Sequence, residues 1–243
     1  MREMIMDDQF SRTRLLIGEA GLDRLWNSWV AVFGIGGVGS FAVESLARAG
    51  IGKLTLIDHD TICLSNLNRQ LPALLSTLGE SKVDAMERRI RDINPQIEIE
   101  VVKEYYLPGN QEQFLAASYD YIIDAIDRVD SKVDLIEQCF LRGLRIISCM
   151  GAGNRLDPTG FTVADISETT GCPLARIVRR QLRKKGIIKG VKAVYSPKPP
   201  LPVLGEVKGG KDTGCPGEVP GSISFVPPVV GMIAAGTVIN DLL

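Results

Sequence analysis

Apolar and polar positions along the chain switch repeatedly between two periods. The run VAVF at 30–33 is wholly apolar and ends at glycines, as a strand buried on both faces does. From Val38 to Ala49 the apolar positions recur at helical spacing, and KLTLID at 53–58 reads as the next strand. A helix is predicted over about 81–93, where Asn94-Pro95 stops it, and IEIEVV at 97–102 alternates. YIIDAI at 121–126 and RIISCM at 145–150 are further strands, with a helix beginning near Asp130. This alternation predicts a Rossmann-like, doubly wound α/β fold: a mainly parallel sheet with flanking helices in one domain. Ligands of such sheets bind beyond the carboxyl ends of the strands, so the residues after each strand are the candidates for chemistry.

The last third reads differently. Ser196 to Gly221 is rich in glycine and proline and is expected to be a long flexible loop. The run ISFVPPVVGMIAAGTVINDLL is apolar enough to raise a membrane span. Pro227-Pro228 splits it, however, and Asn240 and Asp241 lie near its end, so a buried helix from about Val229 is expected and no membrane partner. The chain divides into a core over 1–165, a basic and Gly/Pro-rich segment over 166–222, and a closing strand and helix over 223–243.

Charge sharpens that division. Residues 1–165 hold 17 bases against 24 acids, and residues 166–243 hold 11 bases against 5 acids, within a net charge of −1. No acid occurs between Thr169 and Gly205, whereas an ordinary solvated surface mixes signs. Arg176, Arg179, Arg180 and Arg183 fall at helical spacings and can share one face, with Lys184, Lys185 and Lys189 following. Such a surface suits a polyanion, and the alternative is a solvated amphipathic helix with Ile177, Val178 and Leu182 turned inward. Five cysteines at irregular spacing offer no disulfide framework, and acids occupy the place of a signal peptide's apolar stretch, so a cytoplasmic setting is expected.

Candidate chemistry begins after the first strand. Gly34, Gly36, Gly37 and Gly39, followed by Ser40, form a turn that lets backbone approach a phosphate at a helix N-terminus. Asp58 closes the second strand at the distance expected for a carboxylate that accepts from a ribose. Asp58, His59, Asp60, Asn66, Arg69 and Lys82 then occupy a segment unlike any hydride-transfer site. Its two cations, Arg69 and Lys82, fit a nucleoside triphosphate better than a dinucleotide. Asp127, after the strand at 121–126, adds a carboxylate suited to magnesium. Pairing of Arg69 with Asp60, and capping of the following helix by Asp127, are the structural alternatives. His59 reads as structural.

GxGGxGS, DxDxxxxSNLNRQ, GxxK and DAID together resemble the superfamily of ubiquitin-activating-type adenylating enzymes over nearly the whole chain. The resemblance implies that a substrate carboxylate attacks the α-phosphate of ATP. Asp58 would hold the ribose, Arg69 and Lys82 the phosphates and Asp127 the Mg2+. It also implies a homodimer, in which Arg12 of QFSRTRLLIG reaches into the partner's site.

Members that activate sulfur-carrier proteins often carry two C-x-x-C pairs for zinc, and this chain has none. In overall plan, QFSRTRLLIG, GIGGVGSFAVESLARAGIG, SNLNRQ, DINP, DAID, GAGNRLDPT and SFVPPVVG are similar to the tRNA threonylcarbamoyladenosine dehydratase subfamily. That resemblance implies adenylation and cyclisation of the threonylcarbamoyl carboxylate on adenosine 37, in the anticodon loop of tRNA, with the basic stretch holding the RNA. Activation of a small ubiquitin-like carrier protein stays open as the alternative, as does a partner from a cysteine-desulfurase system. Cys172 lies near the place where some members form a thioester. It is read as a loop cysteine, with a transient nucleophile as the alternative and Cys215 the weaker candidate.

Overall fold

The computed structural model describes residues 8–205 and 220–243. Seven strands form one sheet: β1 Trp29–Phe33, β2 Lys53–Ile57, β3 Glu98–Val102, β4 Tyr121–Asp124, β5 Ile146–Cys149, β6 Thr162–Asp165 and β7 Lys192–Tyr195. Their order is β3-β2-β1-β4-β5-β7-β6, and every pairing is parallel except that of β6 with β7. The order reverses direction between β1 and β4, which creates the crevice where ligands of doubly wound sheets bind.

Seven helices cover the sheet: α1 Ser11–Trp26, α2 Gly39–Ala49, α3 Lys82–Ile93, α4 Glu112–Leu115, α5 Val129–Arg142, α6 Pro173–Lys184 and α7 Val226–Leu242. Alternate residues of β1 feed two separate cores. Val30 and Val32 pack with α2, α3 and α7, while Ala31 and Phe33 pack with α4, α5 and α6. Burial on both faces explains why these strands are continuous apolar runs.

α7 is apolar all round and fits one core because α2 meets it closely. A methyl group built on Gly231 would sit 2.2 Å from the Val38 carbonyl oxygen, so only glycine permits this approach. Pro227 and Pro228 do not split this segment as expected. They occupy the first turn of α7, where missing N–H groups cost nothing. The closing strand expected before the helix does not form, and residues 224–225 turn directly into it. Among the described residues no helix is long and apolar enough to cross a membrane. The expected flexible loop lies partly, and Cys215 wholly, outside the described residues. The four described cysteines are all free.

Candidate active site

β1 ends at Phe33, and Gly34 turns the chain with φ +88° while its N–H donates to the Ile57 carbonyl at 2.8 Å. A methyl group on Gly34 would lie 2.8 Å from the Ala125 carbonyl oxygen, and one on Gly39 would strike the Gly34 oxygen at 1.7 Å. The loop is therefore clasped between the end of β4 and the start of α2. Gly36 is open, its nearest neighbour being the Gln70 amide 3.8 Å from such a methyl group. Gly37 faces Arg69 and Pro227. Ser40 departs from the expected role of a nucleotide contact. It is fully buried, donates to the Gly36 carbonyl at 2.6 Å and accepts from the Leu71 N–H at 3.3 Å, so it braces the loop from behind.

The end of β2 supplies a buried carboxylate. Asp58 accepts from the Ile35 N–H at 2.7 Å and the Asp60 N–H at 2.8 Å, one on each oxygen, which ties it to the glycine loop. A second lone pair remains on each oxygen. Lys82, at the start of α3 and only 5% exposed, donates to Asp60 at 2.6 Å, with Asp58 at 4.0 Å. His59 also contacts Asp60, at 2.8 Å, and stacks on Tyr105, an arrangement consistent with its structural reading. Asp58, His59 and Asp60 group closely enough to hold an ion, but the ammonium and backbone donors already engage both acids.

Arg69 does not pair with Asp60. Its guanidinium donates to the Ser65 carbonyl and the Asn68 side chain, each at 2.9 Å. No carboxylate forms an ion pair with it among the described residues. Burial holds its pKa below the ordinary arginine value, and the carboxylate of Asp127 opposes that shift. Asn66 accepts from the Cys63 N–H at 3.0 Å and so shapes the turn that leads to Arg69. Asp127 is exposed and caps nothing: Arg128 holds the N-cap position of α5 and its side chain pairs with Asp130 at 2.8 Å. Burial first, then the charges of Asp60 and Asp127, pushes the Tyr105 phenol up, and Arg128 opposes that shift.

Beneath the crevice lies a group that the sequence does not announce. Lys132 and Asp124 are both fully buried and pair at 2.7 Å, with Ser148 donating to the same Asp124 oxygen at 2.6 Å. Breaking a buried pair by removing one partner typically costs about 3–5 kcal/mol, so this cluster is held as a unit. A lysine at helical spacing reads as a solvated residue, and only the topology brings it beneath two strand ends.

Arg12 is not brought to this crevice within one chain. It is exposed near the start of α1, where Phe10 packs close to Gly50, just beyond the end of α2 remote from the glycine loop.

The basic segment folds mostly as its spacing indicates. α6 starts at the carboxyl edge of the sheet, where the Cys172 sulfur lies 3.9 Å from a methyl group built on Gly151. Arg176, Arg180, Arg183, Lys184, Lys185 and Lys189 are exposed, while Ala175, Val178 and Leu182 face the core. Arg179 is the exception. Its guanidinium donates to the Thr169 carbonyl, and to the Thr169 hydroxyl at 2.6 Å, so it anchors the helix instead of facing outward. Lys185 pairs with Glu137 at 2.6 Å. Cys172 is itself buried, with 4% of its surface exposed.

A family model described as the ThiF family matches residues 10–243. The tRNA threonylcarbamoyladenosine dehydratase of Bacillus subtilis is 48% identical over 240 residues, covering 97% of this chain and 94% of that protein. The crystal structure of the Escherichia coli enzyme of that name, TcdA, in complex with ATP superposes with a TM-score of 0.86. It is 35% identical, with 98% of this chain and 96% of that one covered. The molybdopterin-synthase adenylyltransferase of Escherichia coli is 37% identical over 147 residues, covering 60% of this chain and 58% of that protein.

Proposed function

Since this chain belongs to the ThiF family, we propose that it is an ATP-dependent tRNA threonylcarbamoyladenosine dehydratase that adenylates the threonylcarbamoyl carboxylate on adenosine 37 and cyclises it. One observation carries the chemistry: at the strand-order reversal an open glycine loop meets Arg69, which pairs with no acid among the described residues, and exposed Asp127 follows the end of the neighbouring strand. Two relatives support the substrate. The Bacillus subtilis protein of that name is matched over nearly its whole length, and the Escherichia coli structure holds ATP. The match to a molybdopterin-synthase adenylyltransferase is shorter, which sets the carrier-protein reading second.

The residues divide the work by charge. Asp58 has lone pairs left for ribose hydroxyls, and Gly36 leaves room for phosphate against backbone. Arg69 and Lys82 face the charge that grows on the bridging oxygen as pyrophosphate leaves; Asp60 takes one of the three Lys82 donors. The substrate carboxylate is already ionised at neutral pH, so the attack needs no general base. Asp127 fits magnesium, which is usually held by one or two carboxylates plus phosphate oxygens, and the ion would screen the departing charge. A nucleophile within the carbamoyl unit then displaces AMP and closes the ring, with net loss of water. Buried Cys172 has no step in this scheme.

In this reading residues 1–165 hold the nucleotide, 166–222 meet the tRNA, and Arg12 completes the site of a second subunit. A desulfurase-system protein has no step in this chemistry. Nucleoside analysis of tRNA carrying threonylcarbamoyladenosine, treated with the protein, ATP and magnesium, tests the proposal. The expected result is a product lighter by one water, formed only with ATP. Unchanged nucleoside, with ATP turned over on addition of a carrier protein instead, would transfer the assignment to the second reading.

A further inference from the structure

We propose that Lys132 is a positioning residue for adenylation, acting through Asp124 on the turn that presents Asp127; this rests on the placement of Asp127 at the ATP site. The Lys132 ammonium, fully buried, reaches two strand ends at once. It donates to Asp124 Oδ2 on β4 at 2.7 Å and to the carbonyl of Cys149, the last residue of β5, at 3.0 Å. Ser148 Oγ lies 3.4 Å from the ammonium and donates to Asp124 Oδ2 at 2.6 Å.

The other Asp124 oxygen accepts from the Ile126 N–H at 3.0 Å, and that bond bends the chain out of β4 toward Asp127. Between them stands Ala125, whose N–H donates to the Phe33 carbonyl at 2.8 Å and whose own carbonyl presses on Gly34. Because the Ala125 N–H ties this wall of the glycine loop to β1, a shift of Asp124 moves the Asp127 carboxylate and leaves the loop in place. Well-packed apolar residues would serve a merely structural role at no greater cost, since buried ion pairs seldom add net stability. What the pair supplies is direction: a fixed carboxylate whose second oxygen sets the turn.

The test compares Ser148→Ala, which removes one hydroxyl, and Lys132→Met, each alone and in an Asp127→Ala background. ATP affinity is read by direct titration, kcat and KM by AMP release, and the Asp127→Ala background by single turnover at high enzyme concentration. The expected result is folded protein with ATP affinity nearly unchanged and a kcat lowered about tenfold or more by Lys132→Met, with a smaller loss for Ser148→Ala. In the Asp127→Ala background neither change should lower the rate further, because the route runs through Asp127. If Lys132→Met does not fold, Ser148→Ala and its cycle decide. Normal kcat in the folded variants beside an inactive Asp127→Ala protein overturns this inference alone, as does a full additional loss in that background. An Asp127→Ala protein with normal turnover overturns the reading of Asp127 and this inference with it.

Discussion

Arg69 shows how a single side chain is kept ready. It is held by two neutral oxygen acceptors, from Ser65 and Asn68, so its position is fixed while its charge stays uncompensated by any ion pair among the described residues. Replacing it, or Asp127, with alanine should lower turnover by about a hundredfold or more, because in the proposed reaction each would act on charge that develops in the transition state. Both lie outside the two hydrophobic cores, so thermal melting and circular dichroism should match the unmodified protein. Near-normal turnover by folded Asp127→Ala protein would remove the metal role. Asp127 was legible because it follows a strand end closely, and Arg69 because two cations beside a glycine loop fit a triphosphate and SNLNRQ carries the family resemblance. Lys132 was not, since its importance comes from groups around its ammonium that lie 8 to 17 residues away, on the ends of two different strands.

At the scale of elements, α6 separates anchoring charge from presenting charge. The helix is 12 residues long, about 18 Å, so its exposed cations run from the carboxyl edge of the sheet toward the opposite edge. Neutralising Arg180, Arg183, Lys184 and Lys189 together should weaken tRNA binding. It should also flatten its salt dependence, by up to about one in the log–log slope for each phosphate that is no longer neutralised. ATP binding should barely change. Arg179→Ala should behave oppositely, lowering stability by freeing the Thr169 carbonyl while leaving the salt slope intact. Equal tRNA affinity and slope in the quadruple variant, measured by titration at several salt concentrations, would detach the basic face from the RNA. The pattern of residues announced β1, β4 and β5 as short, mostly apolar runs, as burial on both faces demands, and β2 and β3 by alternating polar and apolar positions. It did not announce β6 and β7. β6 has polar Thr162 and Asp165 at its ends, and Lys192 inside β7 merges with the basic stretch, so only pairing with a neighbouring strand defines them. α1 escaped notice too, interrupted as it is by non-helical Gly18.

For the whole molecule, the distance between Arg12 and the glycine loop within one chain matters most. If Arg12 completes a neighbour's site, mixing inactive Arg12→Ala with inactive Lys82→Ala protein should restore activity, since each mixed dimer regenerates one intact site. Differently tagged subunits verify exchange, and verified mixed dimers without recovered activity would take Arg12 out of the shared site. The overall plan, a doubly wound sheet with its crevice at the β1–β4 reversal, was legible from the order of strands and helices, whereas the relation between copies was implied only by resemblance. The contact between α2 and α7 has a consequence in time. The helix that follows the glycine loop is made early in synthesis, while the glycine that receives it, Gly231, is made after every strand of the sheet. At typical elongation rates of roughly 5–20 residues per second, the apolar face of α2 waits on the order of ten to forty seconds for its cover. During that interval the first-made part of the sheet exposes apolar surface of the kind that chaperones bind, and that surface is covered only once α7 has left the ribosome.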